Sequence, residues 1–444
     1  MRPIPFASWL TKPFLLVLLL AVGCRQPHLP QSSQAAAAGQ VLVPAPPREA
    51  GMSAEGLGRV DSLLQAYVDN KWIPGAVAIV ARDGKVVYHQ AVGLNNVEQG
   101  TPMQRDHIFR IASMTKALTS VAVMMLEEEG LLRLDDPVAT YIPAFAEARV
   151  LAPAGNGVAE GETVPAREPV TVRHLLTHTS GIGYSFVSPQ ARALYAKAGI
   201  PDGANTAEAT IGEKMQQLAR QPLLHQPGEK WTYGLSTDML GYLVEVVSKQ
   251  TLAEFLHNRI FAPLGMKDTY FFLPEEKANR LAVLYTESPE KIIRPFPANV
   301  NAGDFPVKGA KAYFSGGSGL VSTAQDYAIF LQMLLNGGEY GGRRLLKSST
   351  VEKMTTNQIG NLSVGENKFG LGFAVAPEQG PGKNLRGIGR YGWSGIYNTV
   401  YWVDPFYKTV AVLMTQVVPS SHKDLFNTFE RLTNEAILER ENIK

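Results

Sequence analysis

The strand-like runs of this chain lie near its two ends. GAVAIVARDGKVVYHQAVG (Gly75–Gly93) holds two β-rich stretches around Asp83-Gly84, a strong hairpin signal. Far downstream, TVYWVDP and KTVAVLMTQ flank a turn at Asp404-Pro405. Between them the patterns are mostly helical. Residues 114–129 are apolar on nearly every side from Ala117 to Leu126, which predicts a buried helix. Residues 236–249 and 323–335 also carry helical spacing, whereas 151–168 and 284–312 read as long loops. Amphipathic helices are expected at 53–70, with Leu57, Val60, Leu63, Leu64 and Tyr67 on one stripe, and at 422–441, with Leu425, Phe429, Leu432, Ala436 and Ile437 on one face. The expected class is therefore α+β: an antiparallel sheet built from both chain ends, flanked by terminal helices, with a helical lobe inserted at roughly 117–310.

Composition narrows the functions. The 444 residues are 45% apolar, enough for a sizeable core. Lys+Arg minus Asp+Glu is 42 − 40 = +2, which gives no support to nucleic-acid binding. A single cysteine excludes an internal disulfide, an iron–sulfur cluster and a Cys-based zinc site.

The N-terminus reads as an address. Arg2 and Lys12 precede an apolar run of nine, Phe14 to Val22, too short to span a bilayer and suited to a secretory signal. The run ends in Ala21-Val22-Gly23-Cys24, which resembles the lipobox of bacterial lipoproteins, although Leu is more usual where Ala21 stands. The resemblance implies a signal peptide at 1–23, lipidation of Cys24, and a membrane partner reached through that anchor. Arg25 follows the cysteine, with no Asp to suggest inner-membrane retention, so the implied address is the bacterial cell envelope, at the outer membrane. The plainer alternative is a signal peptide with an incidental cysteine. Residues 24–50 are rich in Pro, Gln and Ala and read as a flexible tether, leaving 51–444 as the folded body.

No serine has glycine at both −2 and +2, so the nucleophile elbow of α/β-hydrolases is absent. His174 and His178 are four apart, but Leu175 stands where a zinc HExxH needs Glu; a pair of helix histidines near a loop is the expectation. Ser315-Gly316-Gly317-Ser318-Gly319 lacks the Gly-Lys-Ser/Thr of a P-loop. No metal or organic cofactor is called for. Ser-x-x-Lys occurs at Ser113–Lys116, Ser288–Lys291 and Ser420–Lys423. The second lies in an expected loop, and the third in an N-cap setting. The first opens the apolar helix, and its serine and lysine share one face of the first turn. Taking that amine out of water favours its neutral form, which suits a base. By itself the pattern also fits an N-capping serine followed by a chance lysine.

The surrounding phrase FRIASMTKALTSVAVMMLEEEGLLRLDDPVATYIP resembles the serine β-lactamase and penicillin-binding-protein superfamily, especially the class C β-lactamase-like branch with its family VIII carboxylesterases. VRHLLTHTSGI, QPGEKWTYGLSTDMLGYLVEVVS, PLGMKDTYF, GGSGLVSTAQDYAIFL, FGLGFAV and GWSGIYNTVYWVDP follow in the expected order, so the resemblance runs from about 51 to 438. It implies Ser113 as acylated nucleophile, Lys116 as its proton partner and Tyr233 as second base. Trp393-Ser394-Gly395 takes the place of the Lys-Thr-Gly strand that lines the substrate cleft, and the backbone N–H groups of Ser113 and Ile396 are the implied oxyanion donors. One such donor is worth about 2.7–4 kcal/mol of barrier.

Two departures bear on the substrate. Trp393 replaces the usual cation, and Leu235 stands where the second motif carries Asn. Arg390 reads as an ordinary surface charge, the other reading being a replacement cation. Losing both polar contacts favours a carboxylesterase for small esters over a β-lactamase or low-molecular-weight penicillin-binding protein acting on peptidoglycan-like substrates. A catalytically inert envelope binding protein of the same fold is the third possibility.

Overall fold

The turn at Asp83-Gly84 has φ values of 52° and 75°. Two positive angles in succession suit the twist of a two-residue hairpin. It joins strands of a nine-stranded sheet in the computed structural model, which describes residues 40–152, 161–205, 208–297, 303, 305–377 and 389–438. All belong to the larger of two units, Ala37–Lys444, the other being Met1–Ala36. The strands are β1 (Val43–Pro44), β2 (Gly75–Arg82), β3 (Lys85–Asn96), β4 (Thr101–Pro102), β5 (Lys368–Phe369), β6 (Ala374–Val375), β7 (Tyr391–Gly395), β8 (Thr399–Asp404) and β9 (Thr409–Met414). Their order is β1-β3-β2-β9-β8-β7-β6-β5, with β4 also on β3. Every pairing is antiparallel except β1 with β3. Both chain ends thus meet mid-sheet, where Val77 of β2 faces Met414 of β9.

The principal helices are α1 (Ala54–Asp69), α2 (Thr115–Glu128), α3 (Val172–Leu176), α4 (Pro189–Ala198), α5 (Ile211–Ala219), α6 (Ser236–Ser248), α7 (Ala324–Leu335) and α8 (Asp424–Glu435). Strand alternation splits the sheet between two cores. Ala76, Ala78, Val80, Ala411 and Leu413 pack with Leu57, Val60 and Leu64 of α1 and Leu425 and Phe429 of α8. Val77, Ile79, Ala81, Val410 and Val412 face the other way, toward Leu118 and Val121 of α2 and Leu331 of α7. A sheet covered on both sides needs nearly continuous apolar strands, which these are. Each Val, Leu, Ile or Phe among them contributes about 1.5–3 kcal/mol on full burial. In α2 every residue from Thr115 to Leu126 is buried.

Some expectations change. The expected signal peptide, Cys24 and the start of the expected tether lie outside the described residues. The tether ends sooner than residue 50: Val43 N–H donates to Gly84 O and Ala45 N–H to Val86 O, so 43–45 already form a sheet edge, a place that tolerates proline. The two long loops contain short ladders, Arg149–Leu151 with Thr163–Pro165 and Tyr285–Glu287 with Ile293–Pro295. Ser420 and Ser421 do not cap α8, whose N-cap is Lys423 with no side-chain hydrogen bond. Among the described residues no helix is long and apolar enough to cross a membrane.

Candidate active site

Ala112, one residue before Ser113, has φ of 41°, a strained value for a side chain with a Cβ. The turn Ala112–Met114 is held from three sides. Ile111 N–H donates to Leu320 O, Leu320 N–H to Thr115 Oγ1, and Tyr327 Oη–H to Met114 O. The surroundings therefore over-determine the position of the serine at the mouth of α2.

Lys116 lies one turn on, and only 2% of its surface is exposed. Its three N–H bonds are all taken: Ser113 Oγ at 3.2 Å, Tyr184 Oη at 3.0 Å and Gly317 O at 2.8 Å. Tyr233 arrives from the segment before α6, 120 residues along, with its Oη 2.6 Å from Ser113 Oγ. Thr232 N–H to His178 O and Tyr184 N–H to Tyr233 O pin its backbone. Trp231 stacks on its ring at 5.8 Å between centroids, and Lys116 Nζ sits 4.7 Å from the ring centre. Ser113, Lys116 and Tyr233 therefore converge.

Trp393 joins them. Its Nε1–H donates to Tyr233 Oη at 3.2 Å, and the rings are 5.5 Å apart. Ser394 is exposed and Gly395 buried on β7. A Cβ on Gly395 would come 2.4 Å from Ile111 O, so β7 passes directly against the turn that carries Ser113. Ile396 follows at the strand's end, 62% exposed. Leu235 is fully buried at the N-cap of α6. Arg390 is neither an ordinary surface charge nor a stand-in cation. Its Nη2 pairs with Glu430 Oε2 of α8 at 2.6 Å, both side chains are mostly buried, and its guanidinium lies over Trp402. The strand's alternation and α8 draw it into the sheet's outer core.

The histidines do not form a pair. His174 belongs to the N-terminal capping box of α3 with Thr171. His178 lies beyond the helix with φ of 56°, buried against Tyr233, Trp231 and Phe369. Burial, then the Lys116 charge, push its imidazole well below the usual range, so it is neutral. Among the described residues no three His, Cys, Asp or Glu side chains are grouped to hold a metal.

Tyr184 and Gly317 escaped the sequence reading. Burial, then the neighbouring Tyr233 and Asp238, raise the Tyr184 phenol well above its usual range; it is a neutral acceptor for Lys116. Tyr184 stands two residues past VRHLLTHTSGI, and Gly317 lies in the patch weighed only as a P-loop.

A family model described as Beta-lactamase matches residues 60–433. The chain belongs to the Beta-lactamase family. Its superfamily is one of serine hydrolases with this mixed α+β fold. Esterase EstB of Burkholderia gladioli is 32% identical over 376 residues, 80% of this family member and 89% of EstB. An Escherichia coli K12 protein named for D-alanyl-D-alanine carboxypeptidase activity is 29% identical over 430 residues, 90% of this chain and 89% of its own. Simvastatin synthase of Aspergillus terreus has a similar structure, with a TM-score of 0.74 at 26% identity, covering 88% of this chain and 100% of that one. Within the Beta-lactamase family, then, this chain is similar to proteins named as an esterase, a carboxypeptidase and a synthase.

Proposed function

We propose that this protein is a carboxylesterase that works through an acyl-enzyme on Ser113. The observation that carries the reading is the contact of Ser113 Oγ with both Tyr233 Oη and Lys116 Nζ, at 2.6 and 3.2 Å. Ser113 Oγ attacks the ester carbonyl, and its proton passes to Tyr233 Oη, the acceptor left when all three Lys116 N–H bonds are taken. The tetrahedral oxyanion is held by the N–H groups of Ser113 and Ile396. The alkoxide leaves with that proton, and water activated by Tyr233 releases the acid. The Trp393 N–H and the Lys116 ammonium both strengthen their contact with Tyr233 when its oxygen bears negative charge. Positioned proton transfer of this kind contributes about 10²–10⁴-fold in rate.

Ester preference rests on the apolar lining. Trp393 stands where a β-lactam carboxylate would want a cation. An aromatic row runs from Phe186, 55% exposed and stacked 4.8 Å from Tyr184, through Tyr233 to Trp231, Trp393 and Phe369. Such a wall suits an apolar acyl or alkoxy group.

Ser113→Ala should abolish hydrolysis of short p-nitrophenyl esters with the fold intact, and full retained activity would falsify the assignment. On the same sample, faster turnover of nitrocefin than of any ester would favour the β-lactamase reading. Rapid, stable labelling by a fluorescent penicillin would favour a DD-peptidase. Failure of a fluorophosphonate to label Ser113 would favour the inert scaffold. The proposed location is the cell envelope, by a lipid on Cys24. It rests on the run before that cysteine, and intact mass tests it: a free thiol ends the idea.

A further inference from the structure

Behind Lys116 lies a carboxylate that the proton path above does not use. Asp238, in the first turn of α6, is fully buried. Its Oδ1 accepts from Ser315 Oγ at 2.5 Å. Its Oδ2 faces the backbone of Gly317, where an added Cβ would come within 2.3 Å. The carbonyl of that same residue receives Lys116 Nζ at 2.8 Å. A single glycine therefore separates a buried acid from a buried amine. The turn between them is anchored again by Thr119 Oγ1–H to Gly316 O at 2.8 Å, and by Ser318 N–H to Ser315 Oγ.

We propose that Asp238 is a positioning residue for the acylation site, fixing the Ser315–Gly319 turn under Lys116 and acting as the buried counter-charge to the ammonium. This rests on the serine-hydrolase reading above. The groups facing the pair are Tyr184, Tyr233 and His178 around Lys116, and Tyr184, Tyr313, Asp202 and Ser315 around Asp238. Burial pushes the Tyr184 and Tyr313 phenols upward and the His178 imidazole downward, so all three are neutral near pH 7. Asp202 is occupied by the Ser185 N–H and hydroxyl. Burial drives the Asp238 carboxyl up from its ordinary value, opposed by the Ser315 hydroxyl, the Lys116 charge and the Gly317 N–H. Lys116 is thus the cation that an ionised Asp238 has to answer.

The measurement is the rate at which a fluorophosphonate labels Ser113, read by intact mass across roughly pH 5 to 10. Asp238→Asn removes the charge and keeps the shape. An opposite charge one residue's backbone away favours the charged amine, so with it removed the acid limb of the labelling rate should move to lower pH by about one unit. Thr119→Val loosens the same turn without changing charge, and should scale the rate at every pH without moving the limb. An Asp238→Asn limb that stays with the wild type, or a profile that only scales like Thr119→Val, overturns the counter-charge. If Asp238→Asn does not fold, Asp238→Ser is neutral, leaves room for a water, and is held to the same outcome. Wild-type protein that is never labelled sinks the serine-hydrolase reading and this inference with it; labelling with an unmoved limb sinks only the role of Asp238.

Discussion

Tyr184 gives Lys116 one of its three acceptors. Tyr184→Phe leaves a buried N–H bond unmet, a cost of about 1–3 kcal/mol, and should slow acylation by about tenfold to a hundredfold without unfolding the chain. Single-turnover release of p-nitrophenol measures it. Phe186 touches none of the reacting atoms, but it extends the aromatic row into solvent. Phe186→Ala should raise KM for esters with bulky aromatic acyl groups and leave acetate esters nearly unchanged; a ratio of kcat/KM values across an ester panel reads this. Ser113 and Lys116 were legible in the sequence through the phrase around them, since their i, i+3 spacing recurs at Ser288 and Ser420. Tyr233 became visible only through its phrase. Gly317 and Asp238 act by where a backbone carbonyl and a buried carboxylate come to rest. Nothing in local spacing encodes that. Arg390 was misread because its partner, Glu430, lies 40 residues away on another element.

Strand β7 reaches the site at the level of whole elements. Gly395 lets it pass the Ile111 carbonyl, and Gly395→Ala forces the two backbones apart. Displacement of about 1 Å costs about 10²-fold in rate, so kcat/KM should collapse more steeply than Tm falls. Glu430→Gln tests the opposite end of β7. It breaks a mostly buried pair with Arg390 and should cost about 3–5 kcal/mol of stability in a denaturant titration, while Ser113 labelling at low temperature persists. The hairpin around Asp83-Gly84 and helices α1, α2, α6 and α7 were readable, each carrying its own period and stop signals. The docking of residues 43–45 was not, because an edge strand of Val and Pro has the composition of a linker.

Across the whole molecule, burial lowers the imidazoles of His89, His107, His174, His178 and His225. For His89, burial and then Arg105 carry it from 6.5 to about 4. The unfolded chain takes that proton near 6.5 and the folded chain only near 4, so stability is lost as pH falls through this window. Asp326 works the other way: burial raises it from 3.8 to about 6, so the folded chain holds its proton more tightly in between. The histidine loss should therefore show first, just below neutrality, in Tm measured against pH, and His89→Gln should flatten it. The central ladder carries one more consequence. Val77 has no neighbour on its β9 side until Met414 exists. A ribosome must deliver nearly the entire polypeptide before the middle of the sheet can close, and long-range pairing of this sort is slow. During synthesis the early hairpin stays open on that flank, an unpaired edge that only the last strands can close.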